Sequence, residues 1–123
     1  NKFVANFIGD ANVVKAEILN KQSNSYDLKI AEMKIKVQSD KELGETVSVA
    51  LRPEKISINK DKKENSIHAT VNNASFVGNS YQYILNSNAG KLFVISGETN
   101  DTFKVGEEVF LSINDKEVKI LND

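Results

Sequence analysis

The chain has 123 residues, 40% of them hydrophobic, with 16 Lys+Arg set against 17 Asp+Glu, which suits one compact domain or two small interlocked ones. It has no cysteine and a single histidine, His68, which excludes disulfides and thiolate metal sites and leaves no metal-ligating or catalytic set to expect. A net charge of −1 lacks the basic excess of a nucleic-acid binder, and no apolar run is long enough to span a bilayer.

The first segment, NKFVANFIG, places Phe3, Val4, Phe7 and Ile8 at helical spacing before the stop at Gly9, predicting a short helix with one apolar face. Such a helix has little of its own to pack on. Together with a first residue that is Asn rather than Met, it suggests a fragment or a processed chain.

From Ala11 the period changes to two. Val14, Ala16 and Ile18 alternate with charged residues, and Asn20 to Ser25 read as a polar turn. Tyr26, Leu28, Ile30 and then Met33, Ile35, Val37 predict a hairpin broken at Ala31-Glu32. Val47, Val49 and Leu51 form the next strand, Pro53 interrupts it, and Ile56 and Ile58 follow. Beyond the charged loop KDKKEN (60–65), Ile67, Ala69 and Val71 run towards Phe76-Val77-Gly78. Tyr81, Tyr83 and Leu85 alternate, Leu92 to Ile95 form a continuous apolar strand, and Val109, Leu111, Ile113, Val118 and Ile120 close the list. Many short strands at regular spacing point to a small barrel or sandwich.

An internal repeat supports this. Leu43-Gly44-Glu45 with Val47, Val49 and Leu51 matches Val105-Gly106-Glu107 with Val109, Leu111 and Ile113 at a constant offset (105 − 43 = 62), which still holds from Ile56 and Ile58 to Val118 and Ile120. Upstream the match is looser, with NSY at Asn24 to Tyr26 and again at Asn79 to Tyr81. Two related β units are expected, roughly 11–60 and 66–123, with room for exchange of strands between them.

The ordered set FVANFIGDAN (3–12), LRPE (51–54), Phe76-Val77-Gly78 followed by tyrosines, and GKLFVI with KVGEEVFLSI (90–113) resembles the C-terminal regulatory domain, of transport-associated OB (TOBE) type, of ABC-importer ATPases, with the spermidine/putrescine importer nearest in flavour. The resemblance covers nearly the whole chain. It implies an all-β, OB-like fold of one or two small barrels at 11–123 and a tail helix at 1–10 left from the junction with a nucleotide-binding domain. It further implies a regulatory and dimer-contact role in polyamine-type transport. The implied partners are the chain's own nucleotide-binding domain, a second copy of the ATPase subunit and, indirectly, the membrane subunits, on the cytoplasmic face of the plasma membrane. No GxxxxGK[ST] phosphate-binding loop is present, so ATP and Mg belong to the upstream domain and this chain is expected to carry no catalytic residues and no cofactor. The alternative is a stand-alone OB-type module for a small ligand or nucleic acid.

The candidate interface residues are Phe3, Val4, Phe7, Ile8, Arg52 and Glu54, and the candidate structural positions are Gly44, Pro53, Gly78 and Gly106. Two readings stay open for Arg52-Pro53-Glu54: a proline that ends a ladder between charges paired at the surface, or a bend that presents both charges to a partner. Gly78 is expected at a bulge or a close backbone approach. Tyr81 and Tyr83 are expected on one face, capping the core with their hydroxyls outward, and His68 is expected towards solvent or in a hydrogen bond.

Overall fold

Alternation of apolar and charged side chains dictates the strands, and burial follows it residue by residue. In β3, for example, Met33, Ile35 and Val37 are buried while Lys34, Lys36 and Gln38 are exposed. The computed structural model describes residues 11–121. The expected helix and its face Phe3, Val4, Phe7 and Ile8 lie outside the described residues. The strands are β1 (Asn12–Gln22), β2 (Ser25–Ile30), β3 (Met33–Gln38), β4 (Thr46–Leu51), β5 (Ile56–Asn59), β6 (Ile67–Phe76), β7 (Tyr81–Ser87), β8 (Gly90–Ser96), β9 (Glu108–Ile113) and β10 (Val118–Ile120). One-turn 3-10 segments, Pro53–Lys55 and Asp115–Glu117, precede β5 and β10.

The strands form two antiparallel five-stranded sheets, in the orders β10-β4-β1-β2-β3 and β5-β9-β6-β7-β8. Each sheet curls until its two edges approach, β10 towards β3 and β5 towards β8, so the fold is all-β, with two OB-like half-barrels. Each barrel borrows its last strand from the other unit. β5 leaves the first unit to pair with β9 (Ile56↔Ile113, Ile58↔Leu111), and β10 leaves the second to pair with β4 (Val118↔Leu51, Ile120↔Val49).

The 62-residue offset is a structural symmetry. It relates β4 to β9, the two 3-10 segments and the two exchanged strands (109 − 47, 115 − 53, 118 − 56). The offset shrinks upstream, to 57 for β2 and β3 against β7 and β8 (85 − 28, 92 − 35) and to 53 for β1 against β6 (67 − 14). Even the bulges correspond, at Leu19 in β1 and Asn72 in β6 (72 − 19 = 53). The second unit therefore carries four more residues in its first hairpin and five more before β9 (57 − 53, 62 − 57).

Two expectations change here. The polar turn at Asn20 to Ser25 contracts to Ser23-Asn24, because the bulge at Leu19 lets β1 continue and pair Lys21↔Tyr26 and Gln22↔Ser25. The NSY match is replaced by one between Tyr26 and Tyr83 (83 − 26 = 57). Both tyrosines are buried, and each hydroxyl meets the backbone of the loop that leads into β4 or β9. Tyr26 donates to the Lys41 carbonyl at 2.6 Å and accepts from the Leu43 N–H at 3.3 Å. Tyr83 accepts from the Phe103 N–H at 3.2 Å.

The core joins both barrels, from Val14, Leu28, Ile35 and Val49 to Ile67, Leu85, Leu92 and Leu111. A fully buried Leu or Ile of this kind contributes about 1.5–3 kcal/mol through removal of apolar surface from water. Met33, Leu51, Ile56, Ile67, Leu92 and Leu111 line a residual void of about 10 Å³, too small to weaken the contact.

Candidate functional site

The LRPE tetrad sits where β4 hands the chain to the other barrel. Leu51 ends the ladder buried, and Arg52 stays extended (φ −72°, ψ 134°). Pro53 occupies the first position of the 3-10 turn, where its missing N–H leaves no donor unsatisfied. The turn closes through the Lys55 N–H donating to the Arg52 carbonyl at 3.0 Å. Pro53 is buried and the turn packs on β8, while Arg52 and Glu54 are exposed. Among the described residues neither has an ion-pair partner, and they do not pair with each other as the surface-pair reading expected. The turn thus holds one cation and one anion outward on a proline anchored in the core.

Its counterpart in the second unit behaves differently. The Asn114 side chain caps the turn by accepting from the Lys116 N–H at 2.9 Å. Asp115 accepts from the Lys36 N–H of β3 at 3.2 Å. This turn touches the edge strand β3 of the first barrel through Asp115, while Asn114, Asp115 and Lys116 stay exposed.

Two asparagines latch the barrels at equivalent places (65 − 12 = 53). Asn12 is fully buried at the start of β1. Its Nδ2 donates to the carbonyls of Leu51 (3.1 Å) and Phe93 (2.9 Å), and its Oδ1 accepts from the Phe93 N–H (2.8 Å). Asn65, exposed at φ 55°, accepts from the Lys34 N–H at 2.7 Å and donates to the Lys34 carbonyl at 2.8 Å. Each bonds both the N–H and the carbonyl of one residue on the edge strand of a sheet, Phe93 of β8 or Lys34 of β3. Periodicity gave no signal for this role, because an asparagine reads first as a turn residue; only the repeat offset could have paired the two.

The aromatic residues form a ladder along the second barrel. Ring centroids lie 5.2 Å apart for Phe76–Tyr81, 5.8 Å for Tyr81–Tyr83 and 5.7 Å for Tyr83–Phe103. Burial pushes the Tyr83 phenol above its ordinary pKa, partly opposed by the Phe103 N–H. The Tyr83 hydroxyl therefore points inward, against expectation, because the loop before β9 needs its acceptor. Gly78 (φ 84°) lies in the tip of the β6–β7 hairpin with open space around it, a turn glycine and not the expected bulge or close approach. Gly106 adopts φ 92° with its N–H donating to the Val71 carbonyl at 2.8 Å, whereas Gly44 has no such positive φ. His68 is exposed, bonds Glu108 at 2.9 Å and stacks on Phe110 at 5.2 Å.

A polar cleft of about 540 Å³ opens between β5 and the loop before β9, lined by Asn59, Lys60, Asp61, Ser96, Glu98 and Asp101 among others. Its charges are mixed and exposed. No group of three or more His, Cys, Asp or Glu side chains able to hold a metal occurs among the described residues, and no helix there is long and apolar enough to cross a membrane.

The family model for the TOBE domain matches residues 49–121, more than half the chain. Curated relatives include the Fe(3+) ions import ATP-binding protein FbpC of Brucella suis biovar 1, 21% identical over 98% of this chain and 34% of the relative. The protein of the same name from Agrobacterium fabrum is 24% identical over 99% of this chain and 34% of the relative. That from Fusobacterium nucleatum is 24% identical over 100% and 33%. The chain spans about a third of the length of these relatives. Among solved structures, the cytoplasmic molybdate-binding protein ModG with molybdate bound superposes with a TM-score of 0.73 at 14% identity, over 92% of this chain and 96% of that one, a likeness of fold alone.

Proposed function

The chain belongs to the TOBE domain family, and from that premise we propose that it is the regulatory and dimer-contact domain of the ATP-binding subunit of an ABC importer. The observation that carries this reading is the alignment of the whole chain with about a third of importer ATP-binding proteins. Hydrolysis belongs to a nucleotide-binding domain, which would also hold ATP and Mg. The partners are that domain, a second copy of the subunit and, through them, the membrane subunits at the cytoplasmic face of the plasma membrane. The apolar set Phe3, Val4, Phe7 and Ile8 faces the nucleotide-binding domain in this reading. Arg52 and Glu54, held outward with no ion-pair partner among the described residues, supply the polar contact. An effect on the ATPase cycle then requires that they meet their partner better in one state than in the other.

Cargo is chosen by other subunits: a polyamine, as the motif resemblance implies, or ferric ion, as the relatives' names state. Glu54→Ala and Arg52→Ala in the complete ATPase test the role. The expected result is an unchanged melting temperature and a shifted ratio of transport to hydrolysis. An unchanged ratio in both variants would remove these residues from the interface. The alternative, a stand-alone OB-type module for a small ligand or nucleic acid, draws on the ModG likeness. It predicts a chain that works without a nucleotide-binding domain.

A further inference from the structure

Among the described residues, the second half of β6 is a sheet edge that no further strand pairs with. β9 pairs with β6 only from Ile67 to Thr70, and the loop before β9 closes Val71 with two backbone hydrogen bonds, from the Gly106 N–H and to the Glu107 carbonyl. Beyond the bulge, Asn73 to Phe76 pair with β7 on one side, and Asn72, Asn73, Ser75 and Phe76 are exposed. Natural sheets guard such edges with a charge, a proline or a covering loop.

The equivalent edge in the first unit is guarded. There β4 pairs with β1 only up to Glu17, and the protruding stretch carries Lys21, bonded to Glu42 of the loop before β4. In the second unit the matching position is Ala74 (74 − 21 = 53). No Asp, Glu, Lys or Arg occurs anywhere between His68 and Lys91, in a chain that is 27% charged. The hairpin is also longer here and ends in Phe76 and Val77, 55% and 43% exposed.

We infer that Asn72–Phe76 pairs antiparallel with the same segment of a second copy of this chain, joining two second barrels into one continuous sheet across a two-fold axis. In this two-fold pairing Ala74 faces its own copy, Asn73 faces Ser75 and Asn72 faces Phe76, so like charges introduced near the axis come close together, and an uncharged strand is self-complementary where a singly charged one is not. The free backbone groups of one edge match those of the other, and Phe76 and Val77 add apolar contact at the ends of the paired segment. This names the surface for the dimer contact proposed above and rests on that reading.

The test combines sedimentation velocity with amide hydrogen exchange on the 123-residue protein at low and high concentration. The expected result is a reversible dimer in which the Asn72–Phe76 amides become protected as the dimer forms. Ser75→Lys, which puts a charge on the exposed edge, weakens association at least tenfold while leaving the melting temperature within a few degrees. Asn73→Lys repeats the test should Ser75→Lys fail to fold. A dimer that both variants leave intact, with Asn72–Phe76 exchanging freely, overturns this surface and keeps the dimer reading. A protein that stays monomeric at every concentration overturns the inference, while the role of Arg52 and Glu54 keeps its own test in the complete ATPase. Protection that appears only when a nucleotide-binding domain is added overturns the second copy as the occupant.

Discussion

The two barrels share a plan down to the position of a bulge, yet their matching parts do different work. In the first unit the turn after β4 points Arg52 and Glu54 outward. In the second the matching turn folds Asp115 back onto β3. The first unit closes its protruding edge with Lys21 and Glu42, and in the second no described residue pairs with the outer edge of Asn72–Phe76. Equal scaffolding with unequal trimming separates the features that recur with the fold from those that do not. Tyr26 and Tyr83, the two bulges and the exchanged strands recur, so they belong to the fold. The proline-anchored turn and the uncharged hairpin occur once each.

Exchange of strands makes the strongest demand on this comparison. Leu111 lies on β9, between β5 of the first unit and β6 of the second, with 1% exposure. Leu111→Ala is expected to cost about 3 kcal/mol and to lower the stability of both barrels together. Calorimetry should show one transition before and after the change. Two transitions, with the first barrel unaffected, would mean that the exchanged strands do not couple the barrels.

The latching asparagines come next. Asn12→Ala removes three hydrogen bonds, to the carbonyls of Leu51 and Phe93 and from the Phe93 N–H, for an expected loss of about 2–3 kcal/mol. Asn65→Gly, which keeps the positive φ accessible, removes two exposed bonds for about 1 kcal/mol or less. Urea denaturation of the pair measures the difference, and equal losses would contradict a buried latch at one end and a solvated one at the other.

The smallest effect concerns the tyrosines. Tyr83→Phe is expected to cost about 1 kcal/mol through the loss of one acceptor. Since the folded pKa of Tyr83 is raised, its phenol stays neutral longer in the folded chain than in the unfolded one. Its contribution is complete below the ordinary tyrosine value of about 10 and fades as pH rises from there through the folded value. The alkaline limb of stability against pH should therefore flatten in Tyr83→Phe, and a limb of unchanged slope would assign the alkaline loss to other groups.

Period-two alternation was enough to read most of the strands, because their buried face is apolar and the other largely polar, while β8 was read from its continuous apolar run. The repeat was readable from Val47 to Ile58 and from Val109 to Ile120, where no residue has been inserted. It was obscured upstream by the longer β6–β7 hairpin, so NSY was matched to the wrong tyrosine. Arg52 and Glu54 could be picked out from the proline between them. Asn12, Asn65 and the open edge at Asn72–Phe76 could not, because their meaning comes from which strand ends where, and that depends on pairings distant in sequence.

The measurement that bears most directly on the central claim is the intact mass of the native protein from its source cells, with peptide sequencing upstream of Asn1. The account predicts a polypeptide about three times as long as this chain, in keeping with relatives of which it spans about a third, with a GxxxxGK[ST] loop in the preceding domain. A native protein that begins near Asn1 would contradict it and leave a stand-alone binding module.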